Sequence, residues 1–161
     1  MITKICALLA VLVVSALPMG ALAQSSTNPF IGTWDIDLRA SDFGSLTPPA
    51  NMSRTYFDHQ DGSFTYMVIT TGEDGALTGT TAHYTYSGEE YPIASFNGDQ
   101  RARISYRQIN DNTVEYTVTL NGVVQQIGAK FISPNQQQLS IAIQFPATGQ
   151  GNQLLIFNRR R

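Results

Sequence analysis

The sequence has 161 residues, of which 42% are hydrophobic and 14% are charged, and its formal net charge is −2. This length suits one domain with a hydrophobic core, and the composition excludes a disordered chain or a coiled coil. Because 12 acidic residues slightly outnumber 10 basic ones, no excess of positive charge is present to attract a nucleic-acid backbone. We therefore expect no nucleic-acid partner.

The N-terminal segment 1–23 has the layout of a secretory signal peptide. Lys4 supplies a positive charge, residues 5–17 form an apolar run, and residues 21–23 (Ala-Leu-Ala) form a small-residue cleavage motif. The run is shorter than the roughly 18–20 residues that cross a bilayer, so we expect cleavage rather than a retained membrane anchor. The sequence thus predicts a signal peptide at 1–23 and a single domain at 24–161, located in the periplasm or secreted.

The only cysteine, Cys6, lies inside this predicted leader. A cleaved chain therefore has no thiol, and we expect neither disulfides nor thiolate ligands. The two histidines, His59 and His83, form no recognisable zinc motif. We accordingly expect no metal site and no cofactor.

The remainder of the chain has the pattern of strands separated by short turns. Segment 32–38 alternates Trp34 and Ile36 with polar residues, which is typical of a strand with one buried face. Asn121-Gly122 is the strongest turn signal, since both residues tolerate the positive φ of a tight hairpin. Eight further strands are predicted at 52–59, 63–70, 77–86, 101–109, 113–120, 123–132, 138–145 and 153–159.

No segment of 24–161 shows sustained helical spacing, an internal repeat or a linker. The pattern predicts an all-β domain that forms an antiparallel up-and-down β-barrel of about 8–9 strands. A β-sandwich is the alternative. The barrel is favoured because closure removes the exposed sheet edges that promote aggregation.

Residues 28–34, Asn-Pro-Phe-Ile-Gly-Thr-Trp, resemble the opening of lipocalin-like (calycin-type) barrels, in which Gly-x-Trp begins the first strand. Segments 35–37, 40–43, 86–93, 110–115 and 155–159 extend the similarity to exported bacterial lipocalin-like proteins of uncharacterised function. The resemblance implies that a basic side chain from the last strand lies across the buried tryptophan. In this chain the resemblance implies structural roles for Gly32 and Trp34 of the Gly-x-Trp motif and for Arg159, the basic residue of the last strand.

The tyrosines and arginines are the candidates for ligand binding. Tyrosine combines an apolar ring with a hydroxyl group, and arginine can hold an anion through two hydrogen bonds. Arg101, Arg103 and Arg107 share one face of a predicted strand, for which solvent exposure is the simpler interpretation. The candidate ligand-binding residues are Arg54, Tyr56, Tyr66, Arg103 and Tyr106.

Two classes of function are compatible with these residues. The first is an exported barrel that binds a hydrophobic or amphiphilic small molecule in its lumen. If arginines point inward, we expect this ligand to be anionic. The alternative is a cofactor-independent isomerase, lyase or cyclase that uses His83, Tyr84 and an inward-facing arginine as acid–base or anion-stabilising groups. An exposed His83 is the simpler interpretation of that residue. An interaction protein that acts through its outer surface is a third option.

Overall fold

The computed structural model describes residues 28–96, 98 and 101–161. The predicted leader, including Cys6, lies outside this part of the chain. None of the described residues forms a helix long and apolar enough to cross a membrane.

The described residues form one antiparallel sheet of eleven strands. The order across the sheet is β5-β7-β8-β9-β10-β11-β1-β2-β3-β4-β6, so most sequential strands are neighbours and the last strand pairs with the first. The strands are β1 (Gly32–Ile36), β2 (Asn51–Asp58), β3 (Phe64–Thr71), β4 (Leu77–Tyr84), β5 (Ser87–Pro92), β6 (Ala94–Ser95), β7 (Ala102–Asn110), β8 (Thr113–Leu120), β9 (Val123–Ile132), β10 (Gln138–Gln144) and β11 (Gln153–Arg159).

One chain segment connects the two ends of this sheet. β5 pairs with β7, and directly after it β6 pairs with β4. At the change of partner, Ile93 N donates to Ala102 O at 2.9 Å and Phe96 N donates to Gly79 O at 3.0 Å. The sheet therefore curls into a nearly closed barrel, with β5 and β6 covering the interval between β4 and β7.

The predicted all-β, up-and-down barrel is confirmed, although the sheet has eleven strands rather than 8–9. β5 and β6 are the two strands absent from the predicted set. β5 is polar and mostly exposed and β6 has only two residues, so neither shows apolar alternation. At the predicted hairpin, Asn121 and Gly122 have φ values of 49° and 78°, as a tight turn between β8 and β9 requires.

Trp34 and Arg159 close one end of the barrel. The Trp34 side chain is fully buried, and its Nε1 donates to Phe30 O at 2.9 Å. Arg159 Cζ lies 4.1 Å from the centroid of the Trp34 ring. Gly32, at φ 124°, leaves room for this guanidinium, since a Cβ atom there would lie 2.8 Å from Arg159 Nη1. The guanidinium donates hydrogen bonds of 2.7–2.8 Å to three carbonyl groups, those of Pro29, Ile31 and Gln136.

Candidate ligand-binding site

The barrel encloses a cavity of about 350 Å³. Its wall contains aliphatic side chains, tyrosines and two basic residues, and no described residue that lines it is acidic. The cavity therefore combines apolar surface with basic and hydroxyl groups that no acidic side chain in the wall balances. Its principal lining residues are Arg54, Tyr66, Val68, Ile104, Tyr106, Tyr116, Val118 and Lys130.

The alternation of β2 directs Arg54 into the barrel. Its cross-strand partners are Trp34 in β1 and Val68 in β3, both of which are buried. Directly paired residues project from the same face of a sheet, so Arg54 shares the inner face with them. Tyr56, two residues further along β2, is on this face as well and is 2% exposed.

The guanidinium of Arg54 has an unused donor. Arg54 Cζ lies 5.4 Å from the centroid of the Phe157 ring. Arg54 Nε and Tyr56 Oη are both buried, and neither makes a hydrogen bond of regular geometry to a described residue, although the two groups lie close enough to interact electrostatically. A buried donor without an acceptor lowers stability, and most such groups in folded proteins are paired. Arg54 therefore contributes to the cavity wall a buried guanidinium whose hydrogen-bonding capacity is only partly used.

Lys130 points into the same cavity from β9. It pairs with Val114 in β8 and Ile141 in β10, which are almost completely buried, and its own side chain is 2% exposed. Lys130 Nζ donates a hydrogen bond of 2.8 Å to Tyr106 Oη. Burial lowers the pKa of Lys130 well below its usual value, and the positive charge of Arg54 acts in the same direction. Both effects favour the neutral amine more than in an exposed lysine.

Four tyrosine rings surround the Lys130 amino group, and we call them the tyrosine cage. Their centroids lie between 4.3 and 5.6 Å from Nζ, within the range of cation–π contacts. In order of increasing distance the rings are those of Tyr106, Tyr56, Tyr116 and Tyr66.

The cage supplies no formal negative charge to the lumen. Burial raises the pKa of all four phenols, to about 12 for Tyr66 and well above the usual value for Tyr106. Tyr84 extends the aromatic wall, with its ring centroid 4.2 Å from that of Tyr106, and burial raises its pKa too. These tyrosines are therefore neutral hydrogen-bonding groups at physiological pH.

A second cavity, of about 410 Å³, continues from the lumen and shares Val68, Thr80 and Ser95 with it. Leu77 and Phe96 line this second cavity and are 64% and 56% exposed. This cavity lies at the Leu77 end of β4. Segment 28–31 lies near the opposite end of β4, where Asn28 donates a hydrogen bond to the hydroxyl of Tyr86. The lumen therefore opens away from the Trp34–Arg159 plug.

The structure brings together four of the five predicted ligand-binding residues. Arg54, Tyr66 and Tyr106 line the cavity, and Tyr56 belongs to the cage. Arg103 lies on the outer face of β7, where its side chain is 48% exposed. Its Nη2 donates to the Glu90 carbonyl oxygen at 2.8 Å, and its Nε lies 3.6 Å from the Glu90 carboxylate.

The two predicted acid–base candidates are on opposite faces of β4. Tyr84 is buried in the lumen, whereas His83 is exposed on the outer surface. There the His83 ring lies 5.1 Å from the His59 ring, and Thr65 Oγ1 is 3.3 Å from His83 Nδ1. His83 and Tyr84 are therefore not assembled into one site. Within the described ranges, no three His, Cys, Asp or Glu side chains are grouped to hold a metal ion.

Lys130 is the site residue that sequence reasoning missed. Both alternating sets of β9 contain apolar residues, and the set with Ile127 and Phe131 is the exposed one. The sequence nevertheless contains an indication that Lys130 is buried. It is the only lysine in residues 24–161, and it alternates with Gly128 and Ile132. A single lysine between two residues suited to a core is unusual for a solvated face.

No protein-family model matches the sequence, and no curated protein matches it. Solved structures with a similar fold include the wild-type fluorescent protein UnaG, with a TM-score of 0.59 and 12% identity over 83% of this chain and 98% of that chain. As-p18, an extracellular fatty acid binding protein, has a TM-score of 0.59 and 11% identity over 83% and 97% of the two chains. Rv2717c from M. tuberculosis has a TM-score of 0.55 and 16% identity over 83% and 94%. The chain thus shares the β-barrel fold of these structures, and at this identity the likeness concerns the fold alone.

Proposed function

We propose that this protein binds a small amphiphilic molecule in the barrel lumen and holds the anionic group of that molecule at Arg54. The observation that carries the proposal is a cavity with two basic side chains, an unpaired guanidinium N–H and no acidic group among its described lining residues. Arginine binds carboxylates through two parallel hydrogen bonds, and this interaction is strongest away from water. As-p18, which shares the fold, is a fatty acid binding protein, and this supports a small-molecule ligand.

The arrangement of the lining residues suggests how the ligand is oriented. Val68, Ile104 and Val118 offer apolar surface for the hydrocarbon part. This part would extend toward the open end at Leu77 and Phe96, since Trp34 and Arg159 close the other end. A volume of about 350 Å³ is near the lower limit for small-molecule sites, which favours a compact ligand.

Calorimetric titration with decanoate and 1-decanol tests this proposal, because the two probes differ in charge but share one hydrocarbon chain. We expect decanoate to bind more tightly. Arg54→Gln should weaken decanoate binding by roughly 10- to 100-fold, the equivalent of one charged hydrogen-bonding group, and should affect decanol little. Arg103→Gln is the matched control, since Arg103 lies on the outer face. Equal decanoate affinity in the Arg54→Gln variant, or no binding of either probe, would contradict the proposal.

We also propose that the protein is exported and that segment 1–23 is removed. The apolar run and the Ala-Leu-Ala motif support this. Intact-mass measurement on protein isolated from its native host would show the mass of residues 24–161. A mature protein that retains residues 1–23 would exclude cleavage.

A further inference from the structure

We propose that Lys130 is a nucleophilic amine that forms an imine with a small aldehyde or ketone in the lumen. The inference rests on the proposed function, because the carbonyl compound must first occupy the cavity. It goes further in assigning a covalent step, and thereby a chemical class of ligand, to one residue.

The surroundings of Lys130 differ from those of a structural lysine. Fully buried lysines are rare and are normally paired with a carboxylate. The hydrogen bond of Lys130 goes instead to the hydroxyl of Tyr106, and no described carboxylate forms an ion pair with it. Its side chain lines the ligand cavity, so a molecule in the lumen can reach it.

Burial and the positive charge of Arg54 disfavour the protonated form of the amine. Arg54 repels an ammonium, and β10 contributes only the aliphatic Ile141 at the paired position. The tyrosine cage, contributed by β2, β3, β7 and β8, attracts a cation only through its ring faces, since its phenols stay neutral. A lysine of ordinary pKa is neutral in roughly one molecule in 2,500 at pH 7, and each unit by which the pKa falls raises that fraction about tenfold. The fraction of reactive amine is therefore larger at Lys130 than at an exposed lysine.

The proposed reaction is a condensation that needs no oxidant or reductant. The Nζ lone pair attacks the carbonyl carbon, and a proton moves from nitrogen to the carbonyl oxygen to give a carbinolamine. Loss of the hydroxyl group together with the second N–H proton releases one water molecule and leaves a C=N bond. Tyr106 Oη, 2.8 Å from Nζ, is placed to donate its proton to the departing hydroxyl while it accepts the proton from nitrogen.

Reductive trapping with decanal tests the inference directly on the full chain. The protein is incubated with decanal and cyanoborohydride at pH 7, and the adduct is located by peptide mass spectrometry. We expect one predominant adduct on Lys130, formed at least about tenfold faster than on an exposed lysine analogue such as N-acetyl-lysine amide. Labelling confined to the α-amino group or Lys4, or a Lys130 rate that rises up to pH 10 like that of the analogue, would overturn the inference.

Matched variants and probes separate the possible failures. Lys130→Met keeps an unbranched side chain but removes the nucleophile, and it should lose the adduct. Tyr106→Phe keeps the ring and the amine, and it should slow trapping several-fold if the hydroxyl relays the proton. Circular dichroism checks that each variant folds. If a variant does not fold, the peptide map and pH profile of the wild-type protein still test the imine.

If 1-decanol and decanoate bind but decanal leaves Lys130 unlabelled, the imine is excluded and the proposed function stands. If no ten-carbon probe binds and Lys130 stays unlabelled, both fail.

Discussion

The ring of Tyr116 lies against the backbone of Gly128, so closely that a Cβ atom at Gly128 would lie 2.3 Å from Tyr116 Cζ. The two residues are paired in the register of β8 and β9, and Gly128 shares the inner face of β9 with Lys130. Glycine inside a strand often marks the close approach of another group. Here it leaves room for one ring of the tyrosine cage.

Gly128→Ala should displace Tyr116 and disturb the cage. Overpacking of this kind lowers the free energy of unfolding by about 1–3 kcal/mol, and we expect weaker decanoate binding as well. Urea unfolding and calorimetry measure the two effects. Ile127→Thr, at the neighbouring exposed position, is the control and should change stability by no more than about 0.5 kcal/mol. Wild-type stability and affinity in Gly128→Ala would show that the contact is unimportant.

The Trp34–Arg159 plug should be a major source of stability. Trp34→Ala removes a fully buried ring, which typically lowers the free energy of unfolding by about 3–5 kcal/mol. Arg159→Ala removes the stacking and three hydrogen bonds to carbonyl groups, and we expect a loss of about 2–4 kcal/mol. Thermal and urea unfolding report both. Arg107→Ala removes only an exposed pair with Glu115 and serves as the control. An unchanged melting temperature in Trp34→Ala would refute the role of the plug.

Stability should increase with pH below about pH 10 because of Lys130, from the lowered pKa of its amine in the folded protein upward. The pKa of Lys130 is near 10.5 in the unfolded chain, and burial lowers it in the folded barrel. Between these two values the unfolded chain binds one proton more than the folded protein, so the free energy of unfolding rises by about 1.4 kcal/mol per pH unit. Lys130→Met should abolish this slope and raise stability at pH 7. Urea unfolding at several pH values measures this dependence. If the free energy of unfolding changes with pH equally in the wild type and in Lys130→Met, Lys130 is protonated in the barrel.

Above pH 10 the tyrosines should reverse this trend. Burial raises the pKa of Tyr66 to about 12 and raises that of the other cage phenols. The folded protein then retains phenolic protons that the unfolded chain loses, so stability falls as pH rises beyond 10. We expect the phenolate absorbance of the cage to appear together with unfolding, as followed by circular dichroism. Ionisation of all tyrosines near pH 10 in a folded protein would contradict their burial.

His83→Ala should leave lumen binding unchanged, because His83 is exposed on the outer face of β4. Calorimetric affinities for decanoate in this variant and in the wild type provide the comparison. His59→Ala, which removes the neighbouring ring 5.1 Å away, is a suitable control for the outer surface. A marked loss of affinity confined to His83→Ala would indicate a connection between this surface and the lumen.

Nine of the strands were predictable because each shows alternation bounded by turn residues. β5 and β6 were not, since their position depends on the distance between β4 and β7 after the sheet curls. Arg54, Tyr56, Tyr66 and Tyr106 were identified as site candidates from residue chemistry. Their convergence around one amine could not be predicted, because it joins residues from β2, β3 and β7 with Lys130 in β9.

The class of the fold, the hairpin at Asn121-Gly122 and the Gly-x-Trp start of β1 can be predicted from the sequence, because turn chemistry and period-two alternation are local properties. Which face of each strand is buried depends on how the sheet closes. In β9 both alternating sets contain apolar residues, and closure of the barrel placed Gly128 and Lys130 in the lumen and left Ile127 and Phe131 exposed. Alternation defines two faces, whereas the direction of curvature and the cross-strand partners determine which of them is buried.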